Sequence, residues 1–133
     1  MRSFKLDIVS PDGPLFSGEA ERLLVRTSDG DVEILAGHTD LFATLGVGRV
    51  KLTANGEVKY GSASGGFLTV KGGAVTLATI TFEFADGIDK ERAELAKTRA
   101  EEAIRSTKDE RALALAKARL ARAINRINVA DLK

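Results

Sequence analysis

The 133-residue chain is 44% hydrophobic, carries a net charge of +1 and contains no cysteine. This composition predicts a folded protein of one ordinary domain, or a small domain with an appended element, and it excludes disulfides, zinc-thiolate sites and cysteine nucleophiles. No stretch has the roughly 20 apolar residues that span a bilayer, and the first residues lack an apolar signal core. We therefore expect contact with a membrane only through a partner.

The first 84 residues alternate between apolar and polar side chains, as short β-strands do. Strand-like runs begin at residues 4–8 and recur at 20–26, 31–35 and 41–45. Asn55-Gly56 and Gly72-Gly73 separate two further pairs of runs, and such dipeptides are typical of tight hairpin turns. Because no helical run intervenes, residues 1–84 predict an antiparallel β-sandwich or a flattened barrel.

From residue 85 onward the pattern is helical. Eleven alanines lie between residues 93 and 130, mixed with Leu, Glu, Lys and Arg. Residues 106–109 interrupt the run, and Asp109 suits the N-cap of a second helix. Residues 85–133 therefore predict a two-helix antiparallel hairpin. The apolar stripe predicted for its second helix consists of Leu113, Ala116, Leu120, Ile124 and Ile127.

Basic residues concentrate in this hairpin. Residues 85–133 contain 12 basic and 9 acidic residues, whereas residues 1–84 contain 8 basic and 10 acidic residues. Helical periodicity places Asp89, Arg92 and Arg99 in one arc of the first helix. In the second helix the corresponding arc contains Arg111, Arg119, Arg122 and Arg126. Antiparallel pairing would bring Arg92 and Arg99 towards Arg126 and Arg122.

Converging guanidinium groups repel one another unless an anion lies between them, and a helix N-terminus adds free N–H groups. A polyanion such as a nucleoside triphosphate is thus one interpretation. The other is a solvated charged face on which Asp89 is an ordinary cap and partner of Arg92, and spacing alone favours this second interpretation.

Catalytic patterns are missing from the sequence. His38 is the only histidine, and there is no serine elbow, Walker lysine motif or dinucleotide fingerprint. We therefore expect no catalytic residues and no metal site, and a bound nucleotide would be a ligand rather than a substrate.

Five segments together resemble the epsilon subunit of bacterial F-type ATP synthases, of the Bacillus ATP-binding type. These segments are SPDGPLF at 10–16, ILAGH at 34–38, SGGFLTV at 64–70, IDKERA at 88–93 and RAINRINVADLK at 122–133. The resemblance implies a sandwich of about ten strands over residues 1–84, which docks on the gamma subunit and the c-subunit ring. It also implies a regulatory, ATP-responsive hairpin over residues 85–133.

The function implied by the resemblance is that of a non-catalytic central-stalk (rotor) subunit, peripheral to the cytoplasmic face of the cell membrane. Such a subunit couples proton-driven rotation to ATP synthesis alongside the gamma, c, beta and alpha subunits. Its extended hairpin inhibits ATP hydrolysis, and ATP stabilises the compact, non-inhibitory hairpin. No cofactor is required, and ATP is a regulatory ligand.

The resemblance also implies three sets of contact residues. The nucleotide set is Glu83, Ile88, Asp89, Arg92, Ala93, Arg99, Arg122 and Arg126. The c-ring set is Asp29, Asp31 and His38. The beta-subunit set is Arg111, Lys117, Arg119 and Arg122. Phe82 and Phe84 stand where the family usually has small or polar residues, which predicts an altered nucleotide pocket.

Two other functions remain open at this stage. One is a purely structural coupling subunit without ATP binding, and the other is a basic nucleic-acid-binding module. The second helix lacks aromatic residues for base stacking, so an acidic protein surface is favoured over nucleic acid as its partner.

Overall fold

The computed structural model describes residues 2–132, which form a β-sheet region followed by two helices. The seven strands within these residues are β1 (Phe4–Ser10), β2 (Gly13–Ala20), β3 (Arg22–Thr27), β4 (Gly30–Leu35), β5 (Leu41–Ala54), β6 (Glu57–Lys71) and β7 (Ala74–Phe84). A 3-10 turn, Ala85–Gly87, leads to α1 (Lys90–Ser106) and α2 (Glu110–Ala130).

The strands follow the order β2-β1-β7-β6-β5-β3-β4, and every pairing is antiparallel except that of β1 with β7. The three long strands each contribute to two layers. One layer contains β2, β1 and the segments 74–79, 66–71 and 41–44, whereas the other contains β4, β3 and the segments 47–54, 57–64 and 81–84. The predicted sandwich is therefore confirmed, with seven strands instead of about ten because three of them cross between layers.

The layers change at a pair of glycines in β6. Gly65 and Gly66 have φ angles of +72° and +106°, values that favour glycine. A Cβ atom on Gly66 would lie 1.9 Å from the carbonyl oxygen of Ala78 on β7. The backbones of β6 and β7 therefore approach closely at Gly65-Gly66, which allows one strand to serve both layers.

The core lies between the two layers and draws on all seven strands, with β2 contributing Ala20. Its fully buried side chains include Leu6, Leu23, Ile34, Leu52, Leu68 and Leu77. They occupy alternate positions because successive side chains of a strand point to opposite faces. This cluster provides the main burial of apolar surface in the chain.

Both helices begin at aspartate caps. Asp89 accepts a hydrogen bond from the backbone N–H of Arg92 at 3.1 Å, and Asp109 accepts one from that of Ala112 at 3.2 Å. Such a cap satisfies an N–H group that has no partner within the helix. The predicted cap at Asp109 is confirmed.

The helices pair antiparallel through small side chains. Ala93 and Ala100 of α1 and Ala116 and Ala123 of α2 are buried. The predicted stripe of α2 is wrong at Ile124, which is 39% exposed. Ala116 of the stripe is buried as predicted, and Ala123, seven residues further on, faces inward with it, since small side chains let the two helix backbones approach closely.

The end of α2 packs on the sandwich through a small second core. Val129 and Ala130 lie against Ala85 and Ile88, with Tyr60 partly buried beside them. This cluster is separate from the core of the sandwich. The hairpin is therefore compact and docked, with much less apolar burial than the sandwich has.

Candidate functional site

A cavity of about 320 Å³ lies between α1 and α2. Alanines of both helices form its apolar wall, and four arginines complete it. The lining residues are Ala96, Arg99, Ala100 and Ala103 of α1 and Ala116, Arg119, Arg122, Ala123 and Arg126 of α2. The volume falls within the range of small-molecule sites, at its lower end.

A smaller cavity of about 150 Å³ adjoins this space on the sandwich side. Its wall includes Ser62, Ser64, Thr81, Phe82 and Glu83 from the sheet, and Arg122 and Arg126 from α2. The two arginines line both cavities. A ligand that spans both would meet guanidinium groups in one part and hydroxyl and carboxylate groups in the other.

One carboxylate from the sandwich reaches the arginine cluster. Glu83 on β7 forms an ion pair with Arg126, and the two side chains are 37% and 29% exposed. Nearby, the Asn125 amide donates a hydrogen bond to Ser62 Oγ at 2.9 Å. These two polar contacts tie α2 to the outer face of the sandwich.

Positive charge remains in excess around the larger cavity. Among residues 2–132, no carboxylate lies within ion-pairing distance of Arg99, Arg119 or Arg122. The Nε atom of Arg126 is buried and has no hydrogen-bond partner in this part of the chain. A buried donor without a partner is costly, so an anion that accepts its hydrogen bond would be favoured here.

The structure brings together four of the residues that the resemblance assigned to the nucleotide. Arg99, Arg122 and Arg126 line the larger cavity, and Glu83 reaches Arg126 from the sheet. Helical periodicity predicted that these three arginines lie close together, whereas only the resemblance indicated that Glu83 belongs to the same site.

The other four residues of the nucleotide set lie outside the wall of the larger cavity. Asp89 caps α1, Ile88 is buried in the second core, and Ala93 is fully buried. Arg92 is exposed one helical turn before Ala96. Their assignment to the nucleotide stays a prediction.

The two phenylalanines expected to alter the pocket have distinct positions. Phe82 is 9% exposed and belongs to the sandwich core, where its ring covers Gly61. Phe84 packs edge-on against Phe82 with ring centroids 4.9 Å apart, and Lys59 Nζ lies 5.8 Å from its centroid. Only Phe82 touches either cavity, at the wall of the smaller one.

The residues assigned to the c ring divide between the two ends of β4. Asp29 lies in the turn before this strand and Asp31 is its second residue, where Arg26 Nε donates to Asp31 Oδ1 at 2.8 Å. His38 follows the strand, and its Nδ1 lies 2.7 Å from the carbonyl oxygen of Thr39. The fold does not bring these residues together, and their contact with the c ring stays a prediction.

The residues assigned to the beta subunit lie along α2. Arg111, Lys117 and Arg119 are exposed, whereas Arg122 is half-buried. The helical arc predicted for the second helix included Arg119, whereas the nucleotide set implied by the resemblance did not, and the structure places it in the wall of the larger cavity. Its spacing of three and seven residues from Arg122 and Arg126 is the signal that indicates this position.

A second ion pair closes the hairpin near the sandwich. Lys90 Nζ at the start of α1 lies 2.8 Å from Asp131 Oδ1, just after α2. The hydrogen bond to Asp131, with the attraction of that carboxylate, raises the pKa of Lys90 above its ordinary value of 10.5. Both side chains are well exposed, so we assign this contact a modest role.

The described part of the chain contains no cluster of three or more His, Cys, Asp or Glu residues suited to a metal ion. None of the helices formed by residues 2–132 combines the length and apolar character needed to cross a membrane.

The fold and site together define a protein of two parts, in which a helical hairpin docked on a β-sandwich encloses a cationic cavity. Residues 3–85 match the family model of the ATP synthase delta/epsilon chain beta-sandwich domain, and residues 86–131 match that of its long alpha-helix domain. The chain belongs to the ATP synthase epsilon chain family.

Curated relatives agree with this assignment. The chain is 41% identical to the ATP synthase epsilon chain of Bacillus velezensis and 42% identical to that of Bacillus subtilis, and each match covers 98% of both chains. A chain in the structure of the Euglena gracilis mitochondrial ATP synthase, OSCP/F1/c-ring in rotational state 1, is similar with a TM-score of 0.82 and 25% identity. That match covers 98% of this chain and 82% of the other.

The expected family is therefore confirmed. An epsilon chain is a non-catalytic subunit of the ATP synthase central stalk, so the expectation that this protein is not an enzyme is also confirmed. Its membership of the ATP synthase complex follows from the same matches.

Proposed function

We propose that this epsilon chain is a coupling subunit of the rotor whose hairpin is a nucleotide-sensitive brake on ATP hydrolysis. One observation carries the proposal: the cavity of about 320 Å³ between α1 and α2 is lined by four arginines. The chemistry of these groups suits the phosphate chain of ATP, because guanidinium forks bind phosphate oxygens in two places at once.

The arginine cluster supports binding in the compact hairpin only. Arg99 lies on α1, whereas Arg122 and Arg126 lie on α2, so one anion contacts both helices only while they are paired. Opening the hairpin separates these groups. A ligand that binds one state stabilises it by RT ln(1 + [L]/Kd), or about 2.7 kcal/mol at a hundredfold excess over Kd.

The small docking interface supports a reversible change of state. Four buried residues with Tyr60, one ion pair to Glu83 and one hydrogen bond to Ser62 hold α2 on the sandwich. A stabilisation of a few kcal/mol from ATP is large enough to compete with contacts of this size. Depletion of ATP would then allow the hairpin to open and extend.

The extended hairpin is proposed to inhibit ATP hydrolysis through contact with the catalytic part of the complex. Between residues 111 and 128 the helix has five basic residues and no acidic one. This charge suits an acidic surface, for which we propose the beta subunit, with contact by Arg111, Lys117, Arg119 and Arg122 and with the alpha subunit adjacent.

The sandwich is proposed to dock on the gamma subunit through its face opposite the hairpin. Phe42 and Phe67 stack there with ring centroids 5.6 Å apart, and they are 66% and 42% exposed. Ile80, which is 64% exposed, extends the same face. Clustered exposed apolar side chains on one layer are typical of an interaction surface.

The c ring would meet Asp29, Asp31 and His38 at the two ends of β4. Through gamma and this ring, the subunit would couple proton-driven rotation to ATP synthesis at the cytoplasmic face of the cell membrane, to which it would be peripheral.

A second candidate function has its own support. Glu83 supplies Arg126 with an anionic partner from the protein itself in the compact state. This carboxylate would substitute for a phosphate if the hairpin were a fixed structural element, in which case the protein would be a purely structural coupling subunit.

Calorimetric titration of the isolated chain with ATP separates the two functions. If the hairpin is a nucleotide-sensitive brake, the chain should bind ATP saturably. Arg126→Ala should then weaken ATP binding at least tenfold, because this change removes a cation shared by both cavities. Arg105→Ala is the matched control, since Arg105 is an exposed arginine of α1 outside both walls. If the unmodified chain does not bind ATP, the purely structural coupling function is the one supported.

A further inference from the structure

The cavity between the helices is elongated along α2. Arg119, Arg122 and Arg126 line it over seven residues, a rise of about 10 Å along the helix axis. Arg126 is at the end nearest the sandwich, where it meets Glu83. Arg119 is at the other end, with Ala116 of its own helix and Ala103 of α1.

The chemistry of the walls changes along this length. At the sandwich end the adjoining cavity presents the hydroxyls of Ser62, Ser64 and Thr81 and the carboxylate of Glu83. A nucleoside can form hydrogen bonds with such groups, whereas the Glu83 carboxylate disfavours the terminal phosphate, which carries the most negative charge, at this end. Away from the sandwich the polar side chains of the wall are arginines alone. The phosphate chain is therefore favoured at the end where Arg119 lies.

Arg119 has a guanidinium group available for this task. Among residues 2–132 it has no carboxylate within ion-pairing distance, although its helix carries a preceding acidic cap and Glu110. We propose that Arg119 binds the terminal phosphates of the nucleotide in the compact hairpin. This inference rests on the proposed nucleotide site and adds to it a residue that the resemblance assigned only to the beta subunit.

A regulatory consequence follows from the double use of Arg119. While its guanidinium binds phosphate, it is not free to meet an acidic surface of a partner. ATP would then restrain the hairpin in two ways, because it holds the helices together and it occupies cations that the extended form needs.

The test is calorimetry of the full chain with ATP, ADP and AMP, using Arg119→Gln and the matched control Arg105→Gln. Both changes remove one exposed positive charge from the hairpin, but Arg105 does not line the cavity. Arg119→Gln should weaken ATP binding about tenfold, the loss expected for a charge-assisted hydrogen bond, and AMP binding less than twofold. Arg105→Gln should change each affinity less than twofold.

Three results would overturn the inference, and they differ in what they say about the nucleotide site. Unchanged ATP affinity in Arg119→Gln, with normal binding by the unmodified chain, would remove Arg119 from the site and leave the proposed function intact. Equal weakening for ATP and AMP would contradict its placement at the terminal phosphates. Absence of ATP binding by the unmodified chain would overturn both the inference and the proposed function.

Discussion

The second core at the end of α2 should control docking of the hairpin without affecting the sandwich. Val129 is 1% exposed and packs with Ala85, Ile88, Ala130 and Tyr60. Val129→Ala removes two methyl groups, at about 0.8 kcal/mol each, and leaves a small cavity, so we expect a loss of about 2 kcal/mol. This loss shifts the balance between docked and open hairpins roughly 30-fold towards the open state.

Amide hydrogen exchange measures this shift separately in each part of the chain. In Val129→Ala the amides of α1 and α2 should exchange faster, while those of the strands keep their protection. Val25→Ala is the matched control, because Val25 is also 1% exposed but belongs to the sandwich core. That variant should lower protection in the strands. Equal loss of protection in helices and strands of Val129→Ala would refute independent opening of the hairpin.

Because Asp131 raises the pKa of Lys90, their ion pair should stabilise the hairpin fully below about pH 10.5 and stop doing so as the pH rises through the higher pKa that Lys90 has in the folded chain. Amide exchange in the helices should therefore speed up over this alkaline range, and Lys90→Met should abolish that pH-dependent increase. An increase that persists in Lys90→Met would argue against the pair. Gly66→Ala should lower the free energy of unfolding of the sandwich by about 3 kcal/mol or more, as measured by denaturant unfolding. Gly87→Ala is the control, because a Cβ there meets nothing within 4 Å, and it should change the free energy of unfolding by no more than about 0.5 kcal/mol. Similar losses in the two variants would contradict the close approach of the strands at Gly66. Asp89→Ala should cost about 1 kcal/mol and speed exchange in the first turn of α1, and Asp89→Asn should restore most of the protection if capping is the cause.

Local sequence patterns predicted the two-part fold because each part has its own periodicity. Alternation and Gly-rich turns indicated the strands, and alanine-rich composition with Asp109 indicated the hairpin. The sharing of three strands between layers was not predictable from alternation. Gly65-Gly66 resembles a break in a pattern, whereas in the structure β6 continues through it and changes layer.

The candidate site was partly predictable for a geometric reason. Helical periodicity gives the angle of a side chain around its axis, and it placed Arg99, Arg122 and Arg126 on facing arcs. It does not give the rotation of one helix against the other or the position along the axis at which a cavity opens. Arg92 therefore lies one turn outside the wall, whereas Arg119 lies within it.

The contact from Glu83 depends on tertiary structure. This residue lies on β7, and its partner Arg126 lies far along the chain on α2. No local pattern connects them, so only the resemblance indicated that Glu83 belongs with the arginines.

The central claim is that ATP binds the compact hairpin, and amide exchange of the isolated chain during an ATP titration tests it most directly. At about a hundredfold excess over Kd, the amides of α1 and α2 that exchange by opening of the hairpin should slow roughly 100-fold, while the strands remain unchanged. Exchange in the helices that stays the same at saturating ATP would contradict the claim.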